Sequence, residues 1–529
     1  MRSSLFACIV IMAGSAVGIT AEQRGKWIGR VSDTQCGRAV NTECNRKCVN
    51  GGIPPVLVLD GTDEVLPIAN PETVKPYAGE HVEITGTLAG NALNADTVSI
   101  AEKGLTASSS TNTEKYRGDY RVSADHVIGI DSFVGDDGKH VLLFSDYKSG
   151  LVRRLFRVSD SEYEVGPGFA LRSPVELNVH LVSDSHDANI SKLIVRAADG
   201  AETTAIRMPT SEKDIRFQSG DATLAGTLIM PESRGAVPGI VLLHGSGPLT
   251  RDSFGPYPRF FASLGFAVLV YDKRSTGSST GEYLKKDEFY PEPFVQDAIA
   301  AVHFLQGQER IRRDSVGLWG SSEGGMLTTQ VASQTRDIAF IINSSGFMMP
   351  LWREMLYNRE AQLRADGFPA SEVAEAVEYQ KALFRTGQTG DGWDELKKMQ
   401  ARIQGRKWFS MFFETETPSL EMLRWRWKHV YSFDPLPAVG KVRCSVLGVF
   451  GVLDTSTPVP VAVANMRQML TKAGNTDFTL KVFPNANHAL TEAQTGSDDE
   501  TARAKGQAPD LFDTLRSWLS KRVTLQPVP

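Results

Sequence analysis

Long apolar runs are nearly missing from this 529-residue chain. One stands out, Leu5 to Val17, and it is too short to cross a bilayer, which takes roughly 20 apolar residues as a helix. No later stretch is long enough, so no membrane span is expected after this segment. A strong charge of one sign is also missing. The net charge is -5 and there is no basic tract, which removes the usual footprint of a nucleic-acid binder. Cysteine is sparse, at five residues. Cys8 lies in the apolar run, Cys36, Cys44 and Cys48 cluster, and Cys444 stands alone in a predicted core strand. Three cysteines with no histidine nearby make a poor zinc set, so no metal site is expected.

What is present begins with the first segment. Met1-Arg2 supplies a positive start, the apolar run follows, and Ala16 or Ala21 precedes a cleavage point. This is the pattern of a secretory signal peptide over residues 1–21. The mature protein is then expected to be periplasmic or secreted, with one disulfide among Cys36, Cys44 and Cys48.

Composition shifts divide the rest. Residues 22–104 read as a small β-rich module. Its strands are marked by Trp27 to Val31, Pro55 to Leu59, His81 to Leu88 and Thr97 to Ile100, enough for a small open barrel of the OB type. Arg38, Arg46 and Lys47 read as its solvated face. Residues 105–114 are a polar linker. Residues 115–210 form a second β-rich module with turns at Asp136-Asp137-Gly138 and Gly166-Pro167-Gly168. His180 and His186 within it read as solvated. From 211 to 529 strands alternate with helices, the mark of an α/β fold with a mostly parallel sheet and helices on both faces. A helical insert at about 347–436 interrupts it and carries Trp352, Trp393, Trp408, Trp425 and Trp427, five of the eight tryptophans. It lies where a cap over a site would be inserted, and most of its aromatics are expected to build the cap's own core. Within the run from Trp408 to Phe413, Phe409, Phe412 and Phe413 share a helix face and should pack inward. Trp408 and Met411 share an adjoining face, and at least one is expected to line an acyl site.

The chemistry centres on Asp314 to Gly325. Ser315 to Trp319 reads as a buried strand, Gly320, Ser322 and Gly324 form a Gly-x-Ser-x-Gly turn, and Met326 to Ala332 open a helix. Strand, tight turn and helix make this a nucleophile elbow. The register selects Ser322 over Ser321, because bulky neighbours two residues either way would crowd the nucleophile. An activated serine needs a base and the base an orienting carboxylate. His488 follows the last predicted strand, and Asp454 follows the strand before it. His303 is mid-helix, His429 lies in the cap, and Asp477 begins a strand at the wrong end of the sheet. Two backbone donors are needed for the oxyanion. Glu323 N–H is one, and Ser246 N–H in the His244-Gly245-Ser246-Gly247-Pro248 loop is the other, with Gly245 or Gly247 as alternatives. His244 is expected to support that loop.

The segment from Ile215 to Ser520 resembles the α/β-hydrolase superfamily. Within it the chain is similar to bacterial esterases that carry His-Gly-Ser-Gly-Pro and a following Arg-Asp pair, here Arg251-Asp252, with a Tyr-Asp-x-Arg-x-x-Gly segment, here Tyr271 to Gly277. The bulky Trp319 departs from the small residue usual there. The resemblance implies an exported serine esterase that needs no metal or organic cofactor and acts on a small-molecule ester through Ser322, His488 and Asp454. A thioesterase, peptidase or acyltransferase on the same triad is the alternative. A binding protein with a vestigial hydrolase domain is a further one, and the intact triad argues against it. The oligomeric state is left open.

Overall fold

The computed structural model describes residues 22–38, 40, 42–60, 64–101, 113–134, 140–183, 190–412 and 418–525. The leader with Cys8, the linker as far as residue 112, the Asp136-Asp137-Gly138 turn, His186 and Phe413 lie outside the described residues. The chain forms two compact units, residues 1–103 and 104–529.

The first unit is an antiparallel sheet of β1 (Gln23–Asp33), β2 (Pro55–Leu59), β3 (Val65–Pro67), β4 (His81–Ala89) and β5 (Ala92–Ile100) in the order β3-β2-β1-β4-β5. Ile68 bridges Leu93 in parallel, so the two sheet edges approach each other as in a partly open barrel. Helix α1 (Thr42–Asn50) joins β1 to β2, and the single turn α2 (Pro71–Val74) precedes β4. Trp27, Leu57, Val82, Ile84 and Leu93 fill the interior, and along β4 Val82 and Ile84 alternate with the half-buried His81, Glu83 and Thr85 at period two.

The second unit opens with a closed antiparallel barrel. Its strands are β6 (Gly118–Ser123), β7 (His126–Val134), β8 (His140–Asp146), β9 (Leu151–Arg157), β10 (Glu162–Val165), β11 (Leu177–Ser183), β12 (Ile190–Ala197) and β13 (Glu202–Arg207). An eight-stranded sheet follows, made of β14 (Thr210–Ser219), β15 (Ala222–Pro231), β16 (Val237–Leu243), β17 (Ala267–Tyr271), β18 (Ile311–Ser321), β19 (Phe340–Ser344), β20 (Ser445–Gly451) and β21 (Phe478–Phe483). Its order is β14-β15-β17-β16-β18-β19-β20-β21. The pairs β14–β15 and β15–β17 are antiparallel, and every later pair is parallel. Strands β16, β17, β19 and β20 are buried along almost their whole length, and β18 from Val316 to Gly320, as parallel strands covered on both faces must be. The covering helices are α3 (Tyr257–Ser263), α4 (Glu292–Gln306) and α5 (Glu323–Gln334), and later α11 (Leu436–Val439), α12 (Val459–Lys472) and α13 (Leu511–Ser520).

Between β19 and α11 runs the cap: α6 (Leu351–Ala365), α7 (Ala370–Thr389), α8 (Trp393–Ile403), α9 (Phe409–Phe412), α10 (Leu420–Arg426) and a π-helical turn, Trp427–Tyr431. The cap has its own core of Leu363, Tyr379, Phe384, Trp408 and Phe409, with Trp352, Trp393 and Trp427 packed against it. At least one of Trp408 and Met411 is expected to line an acyl site. Trp408 is fully buried in the cap core and does not, while Met411 is 47% exposed. The helix of this run begins at Phe409, so Trp408 precedes it and does not share a helix face with Met411.

The barrel and the sheet share one core. Leu143, Tyr147 and Val152 of the barrel segment cluster with Phe260, Phe512 and Trp518. The Tyr147 ring meets Phe260 at 5.3 Å and Phe512 at 5.2 Å edge-on, and its hydroxyl donates to Pro256 O at 3.2 Å. The barrel also grips the chain beyond His488. Phe169 N–H donates to Ala504 O at 2.8 Å, Ala170 N–H to Ala502 O at 2.9 Å, and Gln507 N–H to Gly150 O at 2.8 Å. Tyr147→Ala should therefore destabilise the second unit as a whole, by about 3 kcal/mol or more, as for other large-to-small changes at buried aromatics. Urea unfolding followed by tryptophan fluorescence and by far-ultraviolet circular dichroism is expected to shift together. A shift in one signal alone would show that the barrel melts independently.

Candidate active site

The elbow is built by close packing around strain. Ser322 has φ 57° and ψ −119°, a left-handed conformation that a non-glycine residue holds only when its surroundings enforce it. Two hydrogen bonds do so: Ser322 N–H to Ser344 O at 2.8 Å, and Met326 N–H to Ser322 O at 3.1 Å. The flanking glycines permit it. A Cβ on Gly320 would stand 2.2 Å from Gly324 O, and one on Gly324 would stand 2.1 Å from Leu243 O. Trp319 is accommodated because alternate residues of β18 face opposite sides of the sheet. It turns into the core, 4.2 Å from the Tyr257 ring centre, and leaves the elbow clear.

His488 and Asp454 are brought together although 34 residues separate them. His488 Nδ1 lies 2.9 Å from both carboxylate oxygens of Asp454, which is fully buried while the imidazole is 26% exposed. Asp454 Oδ1 also accepts the backbone N–H groups of Ser456 at 2.8 Å and Thr457 at 2.7 Å, which fixes the carboxylate plane. Burial opposes a charged His488. Asp454 outweighs it by charge and hydrogen bond, and Glu354 and Asp498 add to this, so the imidazole stands above its ordinary value. Among the described residues no hydrogen bond joins the Ser322 hydroxyl to His488. The competing residues are engaged elsewhere: His303 with Asp337, His429 with Glu288 O, and Asp477 with Arg522 and Ser445.

The two expected oxyanion donors are tied to each other by a side chain whose role the sequence did not reveal. Glu323 is the first residue of α5, so its N–H has no acceptor within the helix. Its carboxylate receives Lys273 Nζ in a buried ion pair and the Tyr290 hydroxyl at 3.1 Å. Burial and the Glu323 charge hold that phenol protonated, well above its usual range. Lys273 Nζ also donates to Gly245 O at 2.9 Å and Gly247 O at 3.2 Å. In a trans peptide C=O and N–H point in opposite directions, so a Gly245 carbonyl held by Lys273 turns the Ser246 N–H away from the lysine. Gly245 itself lies against the nucleophile, where a Cβ would stand 3.7 Å from Ser322 Cβ. His244 supports the loop as expected, its Nε2 bonding Thr250 O at 3.1 Å. Burial, with the Lys273 charge, pushes this imidazole down to about 3, so it is neutral and donates.

The residues on either side of Lys273 are buried ions as well. Asp272 takes Arg251 in a two-pronged pair at 3.0 and 2.9 Å, and Arg274 takes Asp297 of α4 at 2.7 Å through both prongs. Helix α6 docks the cap on the acid loop. Tyr357 donates to Asp454 O at 2.9 Å, and Thr455 Oγ1 donates to Gln362 at 2.7 Å. The same helix carries Glu354, which the sequence reading passed over because its only signal is position. Burial pushes its carboxyl up to about 8, with His488 opposing and Asp454 adding to the rise, so it lies within electrostatic reach of the pair.

Lys273→Met should lower kcat by about 10²-fold with a smaller change in KM, since it releases the oxyanion loop without touching the nucleophile. It should also destabilise the fold by about 3 kcal/mol, because Glu323 is left as a buried unpaired charge. Adding Glu323→Gln should recover part of that stability in urea unfolding while kcat stays low. A double variant no more stable than the single one would show that the pair is not the anchor.

Comparison with known proteins agrees with this architecture. Esterase EstD of Thermotoga maritima is 27% identical over 381 residues, covering 69% of this chain and 82% of that protein. Quorum-quenching protein AidA of Acinetobacter baumannii is 27% identical over 160 residues, and thiohydrolase aneE of Aspergillus aculeatus 30% over 142. The matches span 52% of AidA and 43% of aneE, about half of these relatives' lengths. Among solved structures, the α/β hydrolase GrgF from Penicillium sp. sh18 aligns with 60% of this chain and all of its own at 18% identity and a TM-score of 0.39. Residues 198–476, more than half of the chain, match the model of the family described as X-Pro dipeptidyl-peptidase (S15 family), from the last barrel strand through the elbow to just beyond Asp454, and the chain belongs to that family.

Proposed function

We propose that this protein is an exported serine hydrolase that cleaves carboxylic esters through an acyl-enzyme on Ser322. The observation that carries the proposal is the His488–Asp454 pair at 2.9 Å, on loops after the two strands beyond a strained elbow serine. Ser322 Oγ attacks the ester carbonyl and His488 Nε2 takes its proton. Asp454 holds Nδ1 and stabilises the imidazolium. The N–H groups of Glu323 and Ser246 receive the oxyanion. His488 then gives the proton to the leaving alcohol, and a water activated by the same imidazole hydrolyses the acyl-enzyme. The serine–histidine hydrogen bond absent from the free protein forms with substrate, as such bonds commonly tighten only in the complex. The likeness to EstD supports the ester as the bond cleaved.

A second reading has its own observation. Glu354 sets a carboxyl beside the pair, and the family description concerns a peptidase that releases X-Pro dipeptides. A free amino terminus would pair with Glu354 and ionise it. Rates on p-nitrophenyl esters against X-Pro-p-nitroanilides separate the readings, and Glu354→Gln would raise KM selectively for the anilides.

Ser322→Ala, His488→Ala and Asp454→Asn should each lower kcat by about 10³-fold or more, and the losses should not multiply because the three act together. Asp454→Asn leaving activity within about threefold would falsify the assignment of the acid. The base works only when neutral. With its pKa raised by Asp454, the acid limb of kcat/KM should fall above pH 6.5. With its carboxyl pushed up to about 8, Glu354 is protonated across this limb and carries no charge there, so Glu354→Gln should leave the limb in place. A limb that moves to lower pH in Glu354→Gln would show that Glu354 is ionised beside the base.

A further inference from the structure

Three thiols converge in the first unit. Strand β1 ends at Asp33, whose Oδ1 accepts the N–H groups of Gln35 at 3.0 Å and Cys36 at 2.8 Å and so folds the chain into a turn. Its Oδ2 takes Asn45 Nδ2 of α1 at 2.6 Å. One buried carboxylate therefore fastens the turn that carries Cys36 to the helix that carries Cys44 and Cys48. Those two are four residues apart, hence on one helix face. The three sulfurs lie within 4.8 Å of one another, and Cys36 Sγ is 3.8 Å from Cys44 Sγ.

That spacing is informative. The expected disulfide is not formed between any two of the three. A disulfide needs sulfurs about 2.05 Å apart and would leave the third thiol over. Around a tetrahedral zinc with bonds of about 2.3 Å, neighbouring sulfurs stand roughly 3.8 Å apart. The sequence argued against metal because no histidine lies nearby. The fold compensates by bringing all three thiols to one point, with Cys44 exposed and Cys36 and Cys48 half-buried, so that an ion can enter and a fourth position stays open to water.

We propose that Cys36, Cys44 and Cys48 bind one soft closed-shell cation, Zn²⁺ or Cu⁺, through three thiolates. Binding releases the three thiol protons to solvent and changes no oxidation state. Thiolate ligands select both ions, zinc with a water in the fourth position and copper(I) without one. The site is independent of Ser322 chemistry and of the reading given above.

The test uses the full mature protein, reduced and freed of metal under nitrogen. Titration with Co²⁺ should give a sulfur-to-cobalt charge-transfer band that saturates at one equivalent and is displaced by Zn²⁺. Competition with a copper(I) chelator measures the second ion, and the tighter of the two is the occupant. Cys36→Ser, Cys44→Ser and Cys48→Ser should each abolish stoichiometric binding. Cys44→Ser alters an exposed side chain, and its circular dichroism should match the parent. Three results overturn the proposal: no stoichiometric binding of either ion, an unchanged band in the serine variants, or protein taken from an oxidising compartment whose intact mass after alkylation shows two of the three cysteines already joined.

Discussion

The buried ion pair between Lys273 and Glu323 is the constraint on which the geometry of the proposed site depends. Each side chain is about 5% exposed or less, so neither charge is solvated by bulk water. Taking such ions out of water carries a penalty of several kcal/mol per ion, repaid only when remaining donors and acceptors are filled. Here they are filled by the backbone of the loop after β16 and by a buried hydroxyl. Lys273 spends its other hydrogens on carbonyls of the oxyanion loop, and Glu323 takes the Tyr290 hydroxyl. The energetic demand of burying the pair thus becomes a demand that the loop after β16 and the start of α5 keep one relative position. Preorganisation of this kind lets backbone N–H groups stabilise an oxyanion without rearranging when charge develops.

The same logic extends outward through the neighbours of Lys273. Asp272 clamps Arg251, which follows the oxyanion loop, and Arg274 clamps α4. Three successive ions after β17 thereby fix the loop, the elbow and a covering helix. The histidine side of the site has no such triplet and is held by backbone. The segment from Ala502 to Gln507 hydrogen-bonds to the barrel on one side, and on the other Gly506 O accepts the Glu492 N–H and Ala508 donates to Leu490 O, just past His488. The barrel is therefore part of the scaffold that positions His488, and its Tyr147 lies in the same core as Phe260 and Phe512.

How much of this was legible in the sequence follows from distance along the chain. The elbow was legible because its strand, turn and helix are contiguous. Asp454 and His488 were legible because each follows a strand of the parallel sheet, and topology alone brings such loops together. Lys273 was visible within a motif but had no role, since its partners are 28 and 50 residues away and nothing local indicates them. Trp408 misled because the aromatic run was read with helical spacing from Trp408 onward, whereas the helix begins at Phe409. The cysteines were read as holding one disulfide, and Cys-x₇-Cys-x₃-Cys resembles no common ligand pattern; a turn tied by Asp33 brings the outlying thiol over the helix without joining it to either partner.

The strain at Ser322 ties these points together. A non-glycine residue held at such a conformation costs about 1–3 kcal/mol, and it persists only where neighbours over-determine it. The hydrogen bond to Ser344 O comes from β19, and β19 is held in turn by β18 and β20. The glycine contact with Leu243 O comes from the end of β16. The elbow is thus fixed from both flanks by the central strands, which are the most deeply buried part of the sheet. Trp319 adds packing on one face of β18, filling the space against Tyr257 and Phe261 that a small residue would leave open. A bulky residue one step before the glycine is then consistent with the strain: its ring stiffens the strand that must withstand it, while the nucleophile projects from the end where the ring does not reach.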